Sequence, residues 1–163
     1  MVGPDAPLPA EDTAAGIDLA WLEDAGRSLR TLPVIWATVD MERALVEFGL
    51  NPARATAAVD DPLLGARVLV PGQGDVDTTI ALAEPSTEGR LAATLAWQGE
   101  GPAGRYVGVP IDLDEIRTLA AAAGIAISRP AVGPFGREVL VFGAGLGGRS
   151  LVLVEQPAVP SRP

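Results

Sequence analysis

An internal repeat constrains the fold of this chain more than any other feature. Asp40 follows an apolar, β-branched run and precedes a helical pattern, and Asp112 stands in the same setting 72 positions later. Each half then ends on an apolar run closed by a glutamate, Glu84 in the first half and Glu155 in the second. The matching order and spacing predict two modules of about 70 residues, each built as strand, helix and three strands.

Local signals predict the same order within each half. Asp40 and Asp112 are predicted helix N-caps, because a side-chain oxygen there accepts hydrogen bonds from the free amides of the first turn. Gly49 and Gly124 stand where helices commonly end. Further strands and one short helix follow from β-branched runs and apolar periodicity. The strands are predicted over 33–39, 65–70, 78–83 and 105–111 and in three runs after Gly124, and the short helix over 90–98.

Apolar residues at four-residue steps, from Ile17 through Trp21 to Leu29, predict an N-terminal helix over 12–30. The expected fold is α+β, with two βαβββ modules behind this helix. The predicted organisation is an N-terminal extension 1–31, a first module 32–98, a linker 99–104, a second module 105–157 and a tail 158–163.

Composition excludes several kinds of chemistry. The chain has no Cys and no His, and all 12 basic residues are Arg. Disulfides, thiol nucleophiles, Cys/His zinc sites, Ser-His-Asp triads and lysine Schiff bases are therefore excluded. The net charge of −9 disfavours nucleic acid and anionic membranes as partners. The acidic, Pro-rich N-terminus lacks the features of a signal peptide, and we expect a cytoplasmic protein.

The ordered segments ATVDMERA, ALAEPSTEGRLAATLAWQGEG, VPIDLDEI and SLVLVEQP resemble the vicinal oxygen chelate superfamily. This superfamily includes glyoxalase I, the bleomycin-resistance proteins and the methylmalonyl-CoA epimerases, and the epimerase-like branch is the most similar. The resemblance covers about residues 32–157. It implies that each module rolls into a half-barrel whose concave face holds the site, and that the protein forms a homodimer.

The resemblance also implies a metal site, but the ligand positions carry other residues here. The family places a His on the first strand of each module, seven positions before the helix Asp, which gives Pro33 and Arg105. Its other two ligands fall on Ala81 and Val152, and its base falls on Val68. No transition metal is expected at such a set of side chains. We therefore expect neither a metal nor another cofactor.

Two acidic residues lie near those positions but are expected to face elsewhere. Glu84 lies three positions from Ala81, and Glu155 lies three positions from Val152. Because side chains alternate along a strand, both glutamates are predicted on the opposite face. Asp60-Asp61-Pro62 is interpreted as a turn rather than a pair of general bases.

Arg105 is the predicted catalytic residue, since a guanidinium in an apolar cavity can bind a carboxylate or stabilise an oxyanion. The alternative is a surface arginine at the start of a strand. If Arg105 faces the cavity, Tyr106, the only tyrosine, lies on the opposite face of the strand, as a packing residue or a proton donor. The other predicted substrate-binding residues are Ile35, Ala37, Val68, Thr79, Ala81, Val107, Val109 and Val152.

These features predict a metal-independent enzyme that carries out an isomerase, cyclase or lyase step on an acyl-thioester or polyketide-like substrate. The first alternative is a protein that binds and sequesters a small molecule without catalysis. The second is an accessory domain with a vestigial cavity, whose N-terminal helix docks on a partner.

Overall fold

The computed structural model describes residues 19–23, 28–70, 79–143 and 146–156. The helices are α1 (Ala20–Glu23), α2 (Met41–Glu47), a 3-10 helix (Pro52–Ala57), α3 (Arg90–Gln98) and α4 (Leu113–Ala122). The strands of the first half are β1 (Arg30–Ala37), β2 (Val59–Asp61), β3 (Ala66–Leu69) and β4 (Ile80–Pro85). Those of the second half are β5 (Gly101–Val109), β6 (Ala126–Ile127), β7 (Ala131–Gly133), β8 (Gly136–Phe142) and β9 (Ser150–Glu155).

Within the described ranges, nine strands form one mixed sheet in the order β2-β3-β4-β1-β5-β9-β8-β6, with β7 paired to β8. The first strand of each module pairs in parallel with the last, β1 with β4 and β5 with β9. The two modules join through antiparallel pairing of β1 with β5, so they pair within one chain. This topology confirms the predicted α+β fold of two βαβββ modules.

The predicted N-caps are present in both modules. The Asp40 carboxylate accepts a hydrogen bond from the amide of Arg43 at 3.0 Å, and the Asp112 carboxylate accepts one from the amide of Glu115 at 2.8 Å. Each cap satisfies an amide that has no partner within its helix. The repeat in the sequence is therefore a repeat of local structure.

The closing glutamates of the two modules also make equivalent contacts. Each accepts a hydrogen bond from the first amide of its module's helix and one from an arginine on the neighbouring antiparallel strand. The contacts are Met41 N to Glu84 at 2.7 Å, Arg67 to Glu84 at 2.7 Å, Leu113 N to Glu155 at 3.2 Å, and Arg137 to Glu155 at 3.2 Å. Both glutamates therefore accept a hydrogen bond at the start of a helix, and both lie on the face of the sheet that was predicted for them.

Buried side chains form three clusters. One lies beneath α2 and the 3-10 helix, and a second lies beneath α4 and α1, where Leu22 is buried and Trp21 packs. The third, called the interior cluster below, lies on the opposite, concave face of the sheet. Its members are Ile35, Ala37, Leu64, Ala66, Val68, Ala81, Ala83, Leu91, Leu95, Ala103, Tyr106, Leu140, Val152 and Val154.

The two ends of the curled sheet approach each other where β2 contacts β7. We call this contact, between residues 59–61 and 131–133, the seam. It closes the concave face by bringing the outer strands of the two modules together. Side chains at the seam therefore come from both halves of the repeat.

Some boundaries differ from those predicted. Among the described residues of 12–30, only Ala20–Glu23 is helical, and Arg30 already pairs with Gly108 as part of β1. Ile17 and Ala25 lie outside the described residues. β5 begins at Gly101, inside the segment predicted as a linker, because pairing with β1 extends it. None of the described helices is long and apolar enough to cross a membrane.

Candidate functional site

Three polar side chains lie inside the apolar interior, and we call them the acid cluster: Tyr106 on β5, Asp61 at the end of β2, and Glu138 on β8. All three residues are 0% exposed. The Tyr106 hydroxyl donates a hydrogen bond to Oδ2 of Asp61 at 2.6 Å. Phe135 packs against the tyrosine ring at a centroid distance of 4.8 Å. Buried polar groups in such surroundings are costly unless they are paired.

Asp61 is surrounded by hydrogen-bond donors. Its Oδ1 accepts from the amides of Leu63 and Leu64 at 3.0 and 3.1 Å, while its Oδ2 accepts from Tyr106. The local fold supplies the two amides, because Pro62 and the turn after it bend the chain back over the carboxylate. The three donors satisfy the hydrogen-bonding capacity of a carboxyl group that is fully buried.

Glu138 has the opposite surroundings. Neither of its carboxyl oxygens has a hydrogen-bond partner, although both are buried. Burial, followed by the negative charge of Asp61, raises the pKa of Glu138 to about 9. Burial and the same charge also raise the pKa of the Tyr106 phenol. With its pKa raised to about 9, Glu138 holds its proton at neutral pH.

Pseudo-symmetry explains how the acid pair arises. Val68 pairs with Ala83 in the first module, and Glu138 pairs with Val154 in the second, so Glu138 occupies the position equivalent to Val68. Val68 is the residue at which the resemblance implies the family's base, and a valine cannot act as one. The acid at this position of the fold is in the second module.

Gly133 leaves room for the Glu138 side chain. It is the counterpart of Asp61, since each is the last residue of the short strand that forms the seam. A Cβ atom at Gly133 would overlap the Glu138 carboxyl group. Each module thus contributes one acid. The first module contributes Asp61, whose equivalent in the second module is Gly133, and the second contributes Glu138, whose equivalent in the first is Val68.

The prediction that Arg105 faces the concave cavity is wrong. Arg105 pairs with Leu151, which belongs to the cluster beneath α4, and side chains of paired residues lie on the same face of a sheet. The side chain is partly exposed, and its buried Nε has no hydrogen-bond partner. Arg105 therefore lies on the helix-bearing face, away from the acid cluster.

The error has a simple structural cause. Ala37 and Gly108 are equivalent, because each pairs with the residue before its module's closing glutamate. Asp40 follows Ala37 by three positions, whereas Asp112 follows Gly108 by four. Counting back from the helix cap therefore gives a position one residue out in the second module. Tyr106, not Arg105, is the side chain directed into the interior.

Five of the other predicted lining residues lie together in the interior cluster: Ile35, Ala37, Val68, Ala81 and Val152. Their contact with a substrate stays a prediction. Val107 and Val109 lie beneath α4 instead, which corrects their predicted place for the same reason as for Arg105. Thr79 is exposed in the turn before β4, so it does not line the interior as predicted.

The side chains at the implied ligand positions do not fit a metal ion. Pro33 is buried, and Ala81 and Val152 belong to the apolar interior cluster, so none of the three side chains offers a metal-binding atom. With the corrected register, the position on β5 is Gly104, where a Cβ atom would overlap the backbone carbonyl of Ser150. Within the described ranges, no three acidic side chains come together as metal ligands.

Sequence reasoning missed Asp61 and Glu138 as functional candidates. Asp61 is interpreted from the sequence as part of a turn, whereas in the structure it is the last residue of β2, directly before the turn, and lies at the seam. Glu138 carried a usable signal: it is the acid next to Arg137, and Val68 is the matching residue next to Arg67. Aligning the two arginines places a charged side chain at an inward position of the second module.

A pocket of about 280 Å³ opens at the seam. Its described lining residues are Arg54, Ala57, Val59, Val68, Leu69, Val70 and Pro134. Val68 also belongs to the interior cluster, and Pro134 lies between Gly133 and Phe135, which contact Glu138 and Tyr106. The pocket therefore borders the acid cluster.

Comparison with known proteins gives a fold and no closer identity. No protein-family model matches the chain, and no curated protein matches it. A hypothetical protein from Bacillus halodurans matches with a TM-score of 0.60 and 17% identity, over 83% of this chain and 99% of that one.

Two methylmalonyl-CoA epimerases also match in structure. A variant from Streptomyces coelicolor, in complex with 2-nitronate-propionyl-CoA, has a TM-score of 0.60 and 22% identity over 83% of this chain and 100% of that one. The enzyme from Mycobacterium tuberculosis has a TM-score of 0.58 and 23% identity over 79% and 88%. At these identities the likeness shows the fold, which is the glyoxalase type.

Proposed function

We propose that this protein is a metal-independent, isomerase-type enzyme that moves a proton on a carbon atom next to a carbonyl group. The observation that carries the proposal is the buried acid cluster, in which two carboxyl groups and a phenol share one apolar site and the pKa of Glu138 is raised to about 9. Pairs of titratable groups whose surroundings push their protonation states apart are typical of acid–base catalysis. Perturbed groups of this kind cluster at functional sites.

The two acids take complementary roles in the proposed step. Oδ2 of Asp61 accepts the proton as the substrate C–H bond breaks, and Tyr106 turns its hydroxyl group toward the substrate. The electron pair moves to the carbonyl oxygen, which receives the proton of Glu138. The proton on Asp61 then goes to the other face of the same carbon or to a neighbouring carbon, and the enol oxygen gives its proton back to Glu138. This re-forms the carbonyl group and completes an isomerisation without any oxidant or metal.

An acyl thioester is the first substrate class to test. The interior is apolar apart from the acid cluster, which suits a short acyl group. One solved structure with the same fold is described as a methylmalonyl-CoA epimerase in complex with methylmalonyl-CoA. Polyketide-like dicarbonyl compounds carry a similarly acidic C–H bond and form the second class.

The direct test is solvent deuterium exchange. Acyl thioesters and dicarbonyl compounds are incubated with the full-length protein in D₂O, and incorporation at the α-carbon is followed by mass spectrometry. We expect exchange that Asp61→Asn and Glu138→Gln each reduce by about 100-fold or more, the usual contribution of a general acid or base. Asp60→Asn is the matched control, since Asp60 is exposed on the same strand.

Two results would count against the proposal. One is exchange that survives both substitutions, and the other is an equal loss in the Asp60→Asn control. Complete burial of the acid cluster, together with the open pocket beside it, favours the alternative of a small-molecule binding protein. Tight ligand binding with no exchange in any substrate class would establish that alternative.

A further inference from the structure

We propose that Arg105 and Arg149 bind a phosphate group on the helix-bearing face of the sheet, between the buried clusters beneath α2 and α4. The site lies on the opposite face of the sheet from the acid cluster and takes no part in proton transfer. The inference concerns binding alone and is independent of the proposed enzyme activity.

Arg105 lies in a row of paired residues that crosses the middle of the sheet. The row runs Ile80, Val34, Arg105, Leu151 and Val141, and its other four members are apolar. Ile80 belongs to the cluster beneath α2, and Leu151 and Val141 belong to the cluster beneath α4. Arg105 is therefore a charged, partly exposed side chain between two apolar clusters.

The fold does not require a charge at this position. Val34 is the equivalent of Arg105 in the first module, because each pairs with the residue four positions before its module's closing glutamate. A valine builds the same part of the sheet there. The arginine of the second module therefore needs an explanation other than the packing of the module.

The Arg105 guanidinium lacks a partner. Its Nε is buried and makes no hydrogen bond, and none of the ion pairs among the described residues includes Arg105. Buried donors in folded proteins are nearly always bonded, and an unsatisfied one calls for an explanation such as a water molecule or an ion. For a partly buried cation, an anion supplies both the hydrogen bond and the opposite charge.

Arg149 supplies a second guanidinium. It directly precedes β9 and lies two positions before Leu151, the strand partner of Arg105, so alternation places its side chain on the same face. The spacing of strands and of residues along them puts the two Cβ atoms about 8 Å apart. Arg149 is partly buried and, like Arg105, belongs to none of the described ion pairs. Two long side chains at this spacing can contact one anion between them.

The two guanidinium groups favour a ligand with more than one negative charge. Arginine donors match the oxygens of a phosphate group, which carries a charge of about −1.5 to −2 at pH 7 when it is bound as a monoester. In a chain with a net charge of −9, two neighbouring arginines without acidic partners form a local region of opposite sign. The ligand is therefore inorganic phosphate or a small phosphate monoester.

The test measures binding of inorganic phosphate, glycerol phosphate and acetate to the full-length protein by titration calorimetry. The buffer is free of phosphate, at pH 7.5 and constant ionic strength. Both phosphate compounds should bind more tightly than acetate, which has one charge. The tighter of the two identifies the source of the phosphate group.

Matched variants locate the site. Arg105→Met and Arg149→Met should each weaken phosphate binding by about tenfold or more, the usual effect of losing hydrogen bonds to a charged group. Arg105→Lys keeps the charge but loses the planar donors, so it should also bind more weakly than the wild type. Arg129→Met is the control, because Arg129 is exposed before β7 and lies in none of the described ion pairs.

Four outcomes would overturn the inference: no measurable binding of either phosphate compound, acetate that binds as tightly, binding that survives Arg105→Met, or an equal loss in Arg129→Met. Glu138→Gln should bind phosphate like the wild type. Loss of deuterium exchange with phosphate binding intact would therefore remove the proposed enzyme activity and leave this site in place.

Discussion

Replacing Glu138 with glutamine should make the stability of the protein less sensitive to alkaline pH. The carboxyl group has an ordinary pKa of 4.5 when exposed, and burial and Asp61 raise it to about 9 in the folded state. A raised pKa means that the folded state holds this proton more tightly than the unfolded chain. The stabilising effect is complete below about pH 4.5 and is lost as pH rises through the folded pKa.

The size of the effect follows from the shift. Each pKa unit corresponds to 1.36 kcal/mol, so a shift from 4.5 to about 9 gives a ceiling of about 6 kcal/mol. Coupling to Asp61 divides this between two groups, and we expect a fall of a few kcal/mol in the unfolding free energy between pH 5 and pH 9. Glutamine keeps the shape of the side chain and does not titrate.

Urea unfolding between pH 5 and pH 9 measures this directly. The wild type should lose stability with rising pH, and Glu138→Gln should match it near pH 5 and exceed it at pH 9. Glu88→Gln is the matched control, because Glu88 is exposed in the segment before α3. A flat wild-type profile, or a variant that keeps the wild-type slope, would show that Glu138 is not held protonated by burial.

Tyr106→Phe should cost about 1–3 kcal/mol of unfolding free energy, because it leaves Oδ2 of Asp61 buried without its donor; a change below 0.5 kcal/mol in urea unfolding would contradict this. Gly133→Ala should lower the unfolding free energy of the wild type by about 1–3 kcal/mol through overpacking against Glu138. The same substitution should cost much less in the Glu138→Ala variant, and a double-mutant cycle of unfolding free energies checks the difference. Arg105→Met should leave the protein as stable as or more stable than the wild type, since it removes a buried N–H group without an acceptor, and a clear loss in unfolding free energy would count against that.

The repeat made much of the fold predictable from the sequence. Asp40 and Asp112 each carry a local signal, a capping side chain before a helical pattern, and local signals do not depend on distant residues. The closing glutamates Glu84 and Glu155 added spacing, which fixed the order of elements in both modules. Strand alternation then placed both glutamates on the correct face.

The site was less predictable because it depends on tertiary contacts. The face of Tyr106 depends on one extra residue between β5 and α4, and a shift of one residue reverses every side chain of a strand. β2 ends at Asp61 after only three residues, too few for a recognisable period. Glu138 meets Asp61 only because the sheet curls until β2 reaches β7. No local sequence pattern predicts this contact between β2 and β7.

A double-mutant cycle separates a shared proton from two independently buried acids. If Asp61 and Glu138 hold one proton between them, removing either group leaves the other without its partner, so the costs of the single substitutions Asp61→Asn and Glu138→Gln should not add. Residues in one hydrogen-bonded network typically show coupling energies of about 0.5–3 kcal/mol. We expect coupling in this range at pH 6, where the proton is held, and weaker coupling near pH 10, where the wild-type pair has lost it. Coupling that is absent at pH 6, or that is the same at both values, would mean that the acids occupy the seam without sharing a proton, and the proposed division into acid and base would lose its basis.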